Sequence, residues 1–197
     1  FRNSLISLTL KVVKEIKEIL KVDHIDSYFV EATRGATDQG RTTSRKRTLQ
    51  KTYQAAKSLV TKELSDALKN STDSELRSKR LYLYFMQLGR DVYSGKPIDL
   101  NQINKDYDID HIIPQAKVKD DSFLNTVLVA RGLNNTKSDT YPIPEGTISE
   151  EGKQWIETLN RIDKGALMPK EKMERLLRPA SDHLTVEEET GFVQRQL

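Results

Sequence analysis

The feature that most constrains the fold of this chain is a short apolar run that ends in an acid and a histidine. The run, Asp-Ile-Asp-His-Ile-Ile-Pro over residues 108–114, predicts a short β-strand. Proline cannot donate a hydrogen bond to a sheet, so the strand should end by Pro114 and a loop should follow over residues 115–122. Residues 124–129 predict a second strand, and Asn134 should lie just after it, near a turn or helix start.

These residue types are the ones that a single-metal phosphodiesterase site requires. In an extended segment Asp110 and His111 point to opposite sides, so they need not compete for one ligand position. A twisted strand end can direct the carboxylate toward a hard divalent cation and the imidazole toward a water molecule. The carboxamide of Asn134 can supply a second oxygen to the metal while His111 takes a proton from water. The other two histidines, His24 and His183, lie in no such cluster.

An isolated Asp-His pair is more often a surface acid beside a structural histidine at a strand end. Here the pair has neighbours that favour a functional site instead. They are Pro114, Asn125, Asn134 and Lys137. Asn125 is suited to tie the loop back through side-chain hydrogen bonds to the backbone. Lys137 could steady a phosphate, although a lysine at such a position is more often a solvated helix residue.

The pattern Asp110-His111-Ile112-x-Pro114, with Asn125 and Asn134, resembles the HNH nuclease motif in the variant whose final histidine is an asparagine. Further blocks resemble, in order, the HNH region of RNA-guided type II CRISPR effector nucleases. These blocks are Leu81-Tyr82-Leu83-Tyr84, Leu88-Gly89-Arg90-Asp91-Val92-Tyr93, Lys119-Asp120-Asp121-Ser122, Lys137-Ser138-Asp139 and Gly191-Phe192-Val193-Gln194-Arg195-Gln196-Leu197. The similarity runs from about Ile25 to the last residue, and the ordered series is far more specific than the HNH motif alone.

The resemblance implies a metal-dependent DNA endonuclease in which His111 is catalytic and Asp110 and Asn134 are metal ligands. We expect Mg²⁺ as the cofactor, with Mn²⁺ able to substitute, and cleavage of the DNA strand that pairs with guide RNA. The implied partners are target DNA and, in the full-length effector, guide RNA. A phage-encoded anti-CRISPR inhibitor protein is a further candidate partner. The implied location is the bacterial cytoplasm.

A second resemblance concerns Tyr28-Phe29-Val30-Glu31-Ala32-Thr33-Arg34. It is similar to the second conserved block of a split RNase-H-like (RuvC-like) domain, into which the HNH module of these effectors is inserted. By this resemblance Glu31 lies on one RuvC-like strand and is a metal ligand in the full-length protein only. The local pattern by itself favours a strand-end surface charge. The first and third blocks of that domain are absent from the chain, so Glu31 should not hold a metal pair alone.

Composition fits a globular protein without disulfides or a thiolate zinc site. Hydrophobic residues make up 36% of the chain, enough to bury a core, and there is no cysteine. By the resemblance, the Cys-x-x-Cys pair of many HNH proteins falls at Asp91 and Ser94, so we expect no zinc. No run approaches 18 apolar residues, which predicts no membrane association. Phe1 in place of an initiator methionine predicts a piece of something longer.

A basic stretch lies between Arg34 and Lys51, where six bases accompany a single acid, Asp38. Such runs are usually solvated faces, but beside a nuclease motif a track that contacts phosphates becomes the better hypothesis. The residues predicted to bind nucleic acid are Arg34, Arg41, Arg45, Lys46 and Arg47, together with Lys137.

Hydrophobic periodicity predicts a mainly helical α+β protein. The resemblance implies that it consists of a ββα-metal core, flanking helices and one RuvC-like strand. Helices are expected over residues 3–21, over one long stretch from Leu49 to about Asn70, and from a capping box at Thr72 to a stop at Gly89. Two further helices are expected after the motif region, one opened by Thr147-x-x-Glu150 and one with Pro169 in its first turn. The aromatic residues of the third helix, Tyr82, Tyr84 and Phe85, should be core rather than base-stacking groups.

The predicted domains are a RuvC-like segment over residues 1–70, the HNH domain over 71–190, and the start of a return into the RuvC-like domain at 191–197. Two alternatives remain open at this point. One is a free-standing HNH homing or colicin-type endonuclease, which has no use for the block around Glu31. The other is a non-catalytic helical module that binds nucleic acid or a protein partner, for which binding without cleavage would be the evidence.

Overall fold

The computed structural model of the chain describes residues 44–182 together with three helical residues nearer the amino terminus, Lys14, Lys17 and Glu18. The chain divides into two compact units, Phe1–Thr42 and Thr43–Leu197. Several predicted features lie outside the described residues: the strand with Glu31, the basic residues Arg34 and Arg41, and the carboxy-terminal block over 191–197.

The described part of the second unit is mainly helical and contains one two-stranded antiparallel sheet, as expected for the predicted α+β class. Its elements are α1 (Arg45–Ala55), α2 (Lys62–Asn70), α3 (Lys79–Met86), β1 (Tyr107–His111), β2 (Thr126–Ala130), α4 (Arg131–Lys137), α5 (Glu150–Arg161) and α6 (Lys170–Leu176), with short 3-10 turns at Glu75–Arg77, Leu100–Gln102 and Ile162–Gly165. No helix in the described part of the chain is long and apolar enough to cross a membrane. Helices α1 and α2, placed in a RuvC-like segment by the predicted boundary at residue 70, fall within this second unit.

The hairpin positions the candidate site. Strands β1 and β2 pair so that Tyr107 lies opposite Ala130 and His111 lies opposite Thr126. Strand β2 is buried along most of its length, and α4 follows it without a connecting loop. The end of β1, the loop that returns to β2 and helix α4 are therefore neighbours in space.

One apolar cluster runs through the unit from α1 to α6, and the hairpin packs into it. Its fully buried members include Leu49, Leu68, Leu83, Phe85, Leu128, Ile156 and Leu159. Tyr84 and Phe85 are buried, while Tyr82 packs edge-to-face on Phe123 with 4.8 Å between ring centroids. The prediction that these aromatic residues belong to the core is confirmed.

The single long helix predicted from Leu49 to Asn70 is wrong, because the structure has two helices there. Helix α1 ends at Ala55 and α2 begins at Lys62. Thr61 caps α2, and its hydroxyl accepts a hydrogen bond from the Leu64 amide at 3.2 Å. A threonine that satisfies a backbone donor in this way offers the chain an alternative to a continuous helix.

The capping box predicted at Thr72 forms, but it opens only a short turn. The Thr72 amide donates to Glu75 Oε2 at 2.7 Å, and the Glu75 amide donates to Thr72 Oγ1 at 3.2 Å. The turn Glu75–Arg77 follows, and Ser78 then caps α3. The predicted cap at Thr147 is wrong by two residues, since Ser149 caps α5 by accepting a hydrogen bond from the Gly152 amide.

Lys172, in α6, is fully buried with its ammonium against the start of β2. Its Nζ donates to the Thr126 carbonyl oxygen at 2.8 Å. Burial, with a smaller effect from the charge of Lys79, lowers the pKa of Lys172 from 10.5 to about 7. Unfolding therefore takes up a proton between those two values, and the native state gains stability as the pH rises through that window.

Lys172→Met should remove this pH dependence. Relative to the variant, the wild-type chain should gain about 3 kcal/mol of unfolding free energy between pH 7 and pH 10, and nothing below pH 7. Urea unfolding at both pH values measures the difference. Lys170→Met, an exposed lysine on the same helix, is the matched control and should show no such gain. An equal wild-type-minus-variant difference at pH 7 and pH 10 would contradict the account.

Candidate active site

The end of β1, the loop after it and helix α4 enclose an open cleft of about 340 Å³. Its lining includes Asp110, His111, Gln115, Asn134, Lys137 and Asp139. The residues predicted to hold a metal and activate water are therefore brought together, although a long loop and strand β2 separate β1 from α4 in the sequence.

Asp110 is buried, and both of its carboxylate oxygens accept hydrogen bonds inside the protein. The Tyr93 hydroxyl donates to Oδ2, and Lys137 Nζ donates to Oδ1 at 3.0 Å. Burial raises the pKa of the Asp110 carboxyl, and the adjacent Lys137 ammonium opposes that rise. Burial also raises the pKa of Tyr93 well above its ordinary value, which keeps its hydroxyl protonated as a donor.

Lys137 is buried, whereas the sequence predicts a solvated residue on the helix surface. Its side chain is only 1% exposed, and its Nζ also donates to the His111 carbonyl oxygen at 2.8 Å. The expectation of a solvated helix residue is wrong because α4 packs against the hairpin and turns this side chain inward. Its positive charge lies beside the carboxylate that would bind a metal.

His111 lies at the rim of the cleft with 21% of its side chain exposed. Its Nε2 is 2.9 Å from Asp121 Oδ1 and 3.0 Å from the side-chain nitrogen of Gln115. Asp121 also accepts a hydrogen bond from Lys79 Nζ at 2.8 Å. Hydrogen bonds from Lys79 and His111 lower the pKa of the Asp121 carboxyl. The sequence contained Asp121 only as part of a family block and gave no signal of its contact with the histidine.

Asn125 makes the side-chain hydrogen bonds to the loop backbone that the sequence predicts for it. Its fully buried carboxamide accepts from the Ile113 amide and donates to the Ile113 and Asp120 carbonyl oxygens, each at 2.9 Å. Arg175 of α6 fastens the same loop through the Asp120 carboxylate at 3.2 Å. The loop that carries Asp121 is therefore attached at its start, at its middle and to a distant helix.

Two further residues, Gln87 and Asp91, hold this arrangement together, and the sequence predicted this role for neither of them. Gln87 donates to the Leu128 carbonyl oxygen at 2.8 Å and accepts from the Leu128 amide at 2.7 Å. Asp91 accepts from the Tyr93 amide at 2.8 Å and from the Ala130 amide at 3.0 Å. Asp91, at a position expected to lack zinc, thus keeps Tyr93 beside the hairpin and within reach of Asp110.

A glycine in α5 also helps to place Tyr93. A side chain at Gly152 would bring its Cβ to 2.3 Å from the Tyr93 carbonyl oxygen, which is too close for any other residue. The Ser149 amide donates to the same oxygen at 2.8 Å. Helix α5 therefore packs its amino terminus directly on the backbone of Tyr93.

Asn134 lies on α4, partly exposed, and faces the same cleft as Asp110. Among the described residues there is no cluster of three or more His, Cys, Asp or Glu side chains that could hold a metal. Asp110 and Asn134 could offer a cation in this cleft one carboxylate and one carboxamide oxygen, completed by water and substrate. Oxygen donors of this kind fit Mg²⁺, which keeps several of its waters in protein sites.

Like Lys137, two more of the residues predicted to bind nucleic acid make contacts inside the protein instead. Arg45 donates to the Leu76 carbonyl oxygen at 2.9 Å, and its guanidinium lies 4.8 Å from the Tyr82 ring centroid. Lys46 donates to the Lys69 and Ser71 carbonyl oxygens at 2.7 and 2.6 Å. These contacts hold α1 against the turn Glu75–Arg77 and the end of α2, which corrects the expectation of a phosphate track at these two positions. Arg47 is exposed.

Residues 91–143 match the family model described as HNH endonuclease. This chain contains an HNH endonuclease domain. The matched range starts at Asp91, which positions Tyr93, and contains the hairpin, the loop held by Asn125 and helix α4. The HNH domain thus coincides with the part of the fold that builds the cleft.

The similarity extends beyond the HNH domain. Over 96% of its length the chain is 34% identical to the CRISPR-associated endonuclease Cas9 of Streptococcus mutans serotype c and 33% identical to that of Listeria innocua serovar 6a. The chain spans 14% of the length of each of these relatives. The resemblance to the HNH region of RNA-guided CRISPR nucleases is therefore confirmed, and the free-standing HNH enzyme loses support.

Proposed function

We propose that the HNH domain nicks one strand of DNA by metal-dependent hydrolysis, and that in the full-length effector this strand is the one paired with guide RNA. The observation that carries the proposal is the meeting of Asp110, His111 and Asn134 in one cleft. The similarity to two Cas9 proteins supports the choice of a guide-paired strand.

In this reaction His111 takes the proton from the attacking water. Its imidazole lies at the rim of the cleft and is partly exposed, so a water molecule can reach it. Asp110 and the Asn134 side-chain oxygen would hold Mg²⁺. When bound, the metal would polarise the scissile phosphate and stabilise charge on the departing 3′ oxygen. The products carry 5′ phosphate and 3′ hydroxyl ends.

Tyr93 keeps the Asp110 carboxylate in one orientation, with Oδ2 turned toward the protein interior. The other oxygen, Oδ1, accepts the hydrogen bond from Lys137 at 3.0 Å. A metal held by Asp110 would be a second positive charge beside this carboxylate, next to the Lys137 ammonium that already contacts it.

The wider setting is proposed from the relatives. Glu31 would belong to a second, RuvC-like site that cuts the displaced strand in the full-length protein. Guide RNA, target DNA and a phage-encoded inhibitor remain the proposed partners, and the bacterial cytoplasm the proposed location. The alternative hypothesis is a module that binds nucleic acid without cutting it. The following experiment distinguishes the two hypotheses.

Replacing either proposed ligand should raise the metal requirement. Asp110→Ala and Asn134→Ala should each need at least about tenfold more Mg²⁺ for half-maximal nicking, and Mn²⁺ should restore part of the rate because it tolerates poorer oxygen geometry. Single-turnover nicking by the full-length effector across a metal series measures this. Asn101→Ala, at an exposed asparagine of the turn Leu100–Gln102, is the control. If the ligand variants respond to metal as Asn101→Ala does, the proposal fails, and binding without cleavage in the wild-type protein would favour the non-catalytic module.

A further inference from the structure

The contact between His111 and Asp121 determines which imidazole nitrogen is free to accept a proton. The two side chains meet at His111 Nε2 and Asp121 Oδ1, 2.9 Å apart. An ionised carboxylate only accepts hydrogen bonds. The pKa of Asp121 is lowered by hydrogen bonds from Lys79 and His111, so this carboxyl is ionised near neutral pH. Nε2 must then carry the hydrogen, and in the neutral imidazole the lone pair is left on Nδ1.

Gln115 is compatible with this assignment. The nitrogen of its carboxamide is placed 3.0 Å from His111 Nε2, where two donors would face each other. Rotating the carboxamide by half a turn exchanges its nitrogen and oxygen without moving the side chain. Its oxygen then accepts from the same Nε2–H, and both neighbours of that nitrogen are acceptors.

The carboxylate of Asp121 is held in place even though 73% of its side chain is exposed. Lys79 Nζ contacts both its Oδ1 and its backbone carbonyl oxygen. The preceding residue, Asp120, is bonded through its backbone to Asn125 and through its carboxylate to Arg175. An exposed ion pair contributes little to stability, so this much support for one acid indicates a role in geometry.

We propose that Asp121 is a positioning residue for His111: by accepting the Nε2–H hydrogen bond it orients the imidazole and leaves Nδ1 as the nitrogen that takes the proton from water. This inference rests on the proposed nuclease function of His111. It adds a residue outside the predicted site to the nicking reaction, and it assigns the two ring nitrogens to different tasks.

Asp121→Ala should slow single-turnover nicking of the guide-paired strand by the full-length effector about 10- to 100-fold, with DNA binding and melting temperature nearly unchanged. Asp121→Asn keeps an oxygen that can accept the same hydrogen bond and should recover part of the rate. Asp106→Ala removes one exposed acid elsewhere in the domain and is the matched control for loss of charge.

A spectroscopic measurement separates positioning from other effects. In the 197-residue chain labelled with ¹⁵N-histidine, at a pH where the imidazole is neutral, His111 should show an Nε2–H proton protected from exchange with water. His111→Ala identifies that signal. Asp121→Ala should lose the protected proton, and Asp121→Asn should retain it in part.

Slower nicking together with loss of the protected proton supports the proposal. Any one of three results would overturn it. The wild-type imidazole could be protonated at Nδ1, Asp121→Ala could nick at the wild-type rate, or Asp121→Ala could nick slowly with the proton still protected. Failure of the nuclease proposal itself is a different result. In that case His111→Ala nicks at the wild-type rate, while the wild-type chain can still show the protected Nε2–H proton.

Discussion

His111→Ala should lower the rate of guide-paired strand nicking by the full-length effector by about 10²–10⁴-fold. The imidazole is the partly exposed base at the rim of the cleft, and it is the one histidine within residues 44–182. DNA binding should be nearly unchanged, because the contacts that hold a DNA–RNA duplex do not depend on one imidazole side chain. Single-turnover kinetics on a labelled strand isolates the chemical step.

The control for this variant is Gln154→Ala, on the exposed side of α5, which should nick at the wild-type rate. Melting curves of both variants exclude an effect through unfolding. A His111→Ala rate within about threefold of wild type would remove this residue from the role of general base.

Lys137→Met should cost the domain about 3 kcal/mol of unfolding free energy, which is the second large effect we expect. The ammonium and the Asp110 carboxylate are both buried, with side chains only 1% and 6% exposed. Methionine fills a similar volume but leaves the carboxylate without a cation in a poorly solvated site. The pKa of Asp110, already raised by burial, should rise further. The deficit should therefore shrink as the pH falls, because protonation then relieves the uncompensated charge in the folded state.

A double-mutant cycle separates the charge from the packing of Lys137. Lys137→Met combined with Asp110→Asn removes both charges and should recover most of the lost stability, since replacing a whole buried pair is far less costly than breaking it. Urea unfolding of the single and double variants near pH 7 and pH 5 measures the coupling. Equal losses in Lys137→Met and in the double variant would show that the lysine acts through packing alone.

The sequence predicted the parts of this site that depend on local pattern. The strand that ends in Asp110 and His111, the return strand and the position of Asn134 all follow from a short run of residues with clear periodicity. Asn125 was recognisable because a buried carboxamide is one of few groups that can bond both an amide and a carbonyl of the same loop.

The parts that the sequence missed are set by tertiary packing. Lys137 reads as an exposed helix residue until α4 is seen to pack against the hairpin. The sequence predicts that Arg45 and Lys46 bind phosphates. In the structure the helix is interrupted before Thr61, and carbonyl oxygens of Leu76 and Lys69 lie within reach of the two side chains. The contact between Tyr93 and Asp110 joins residues that no local pattern links. Long, flexible cations can satisfy internal acceptors or external phosphates, and only the fold decides between them.

Strand-resolved cleavage by the full-length effector tests the central claim most directly. Both DNA strands are labelled separately, and wild type is compared with His111→Ala at one Mg²⁺ concentration. We predict that the variant loses cleavage of the guide-paired strand while the displaced strand, assigned to the second site that includes Glu31, is cut at the wild-type rate. Loss of both cuts, or continued cleavage of the guide-paired strand, would contradict it.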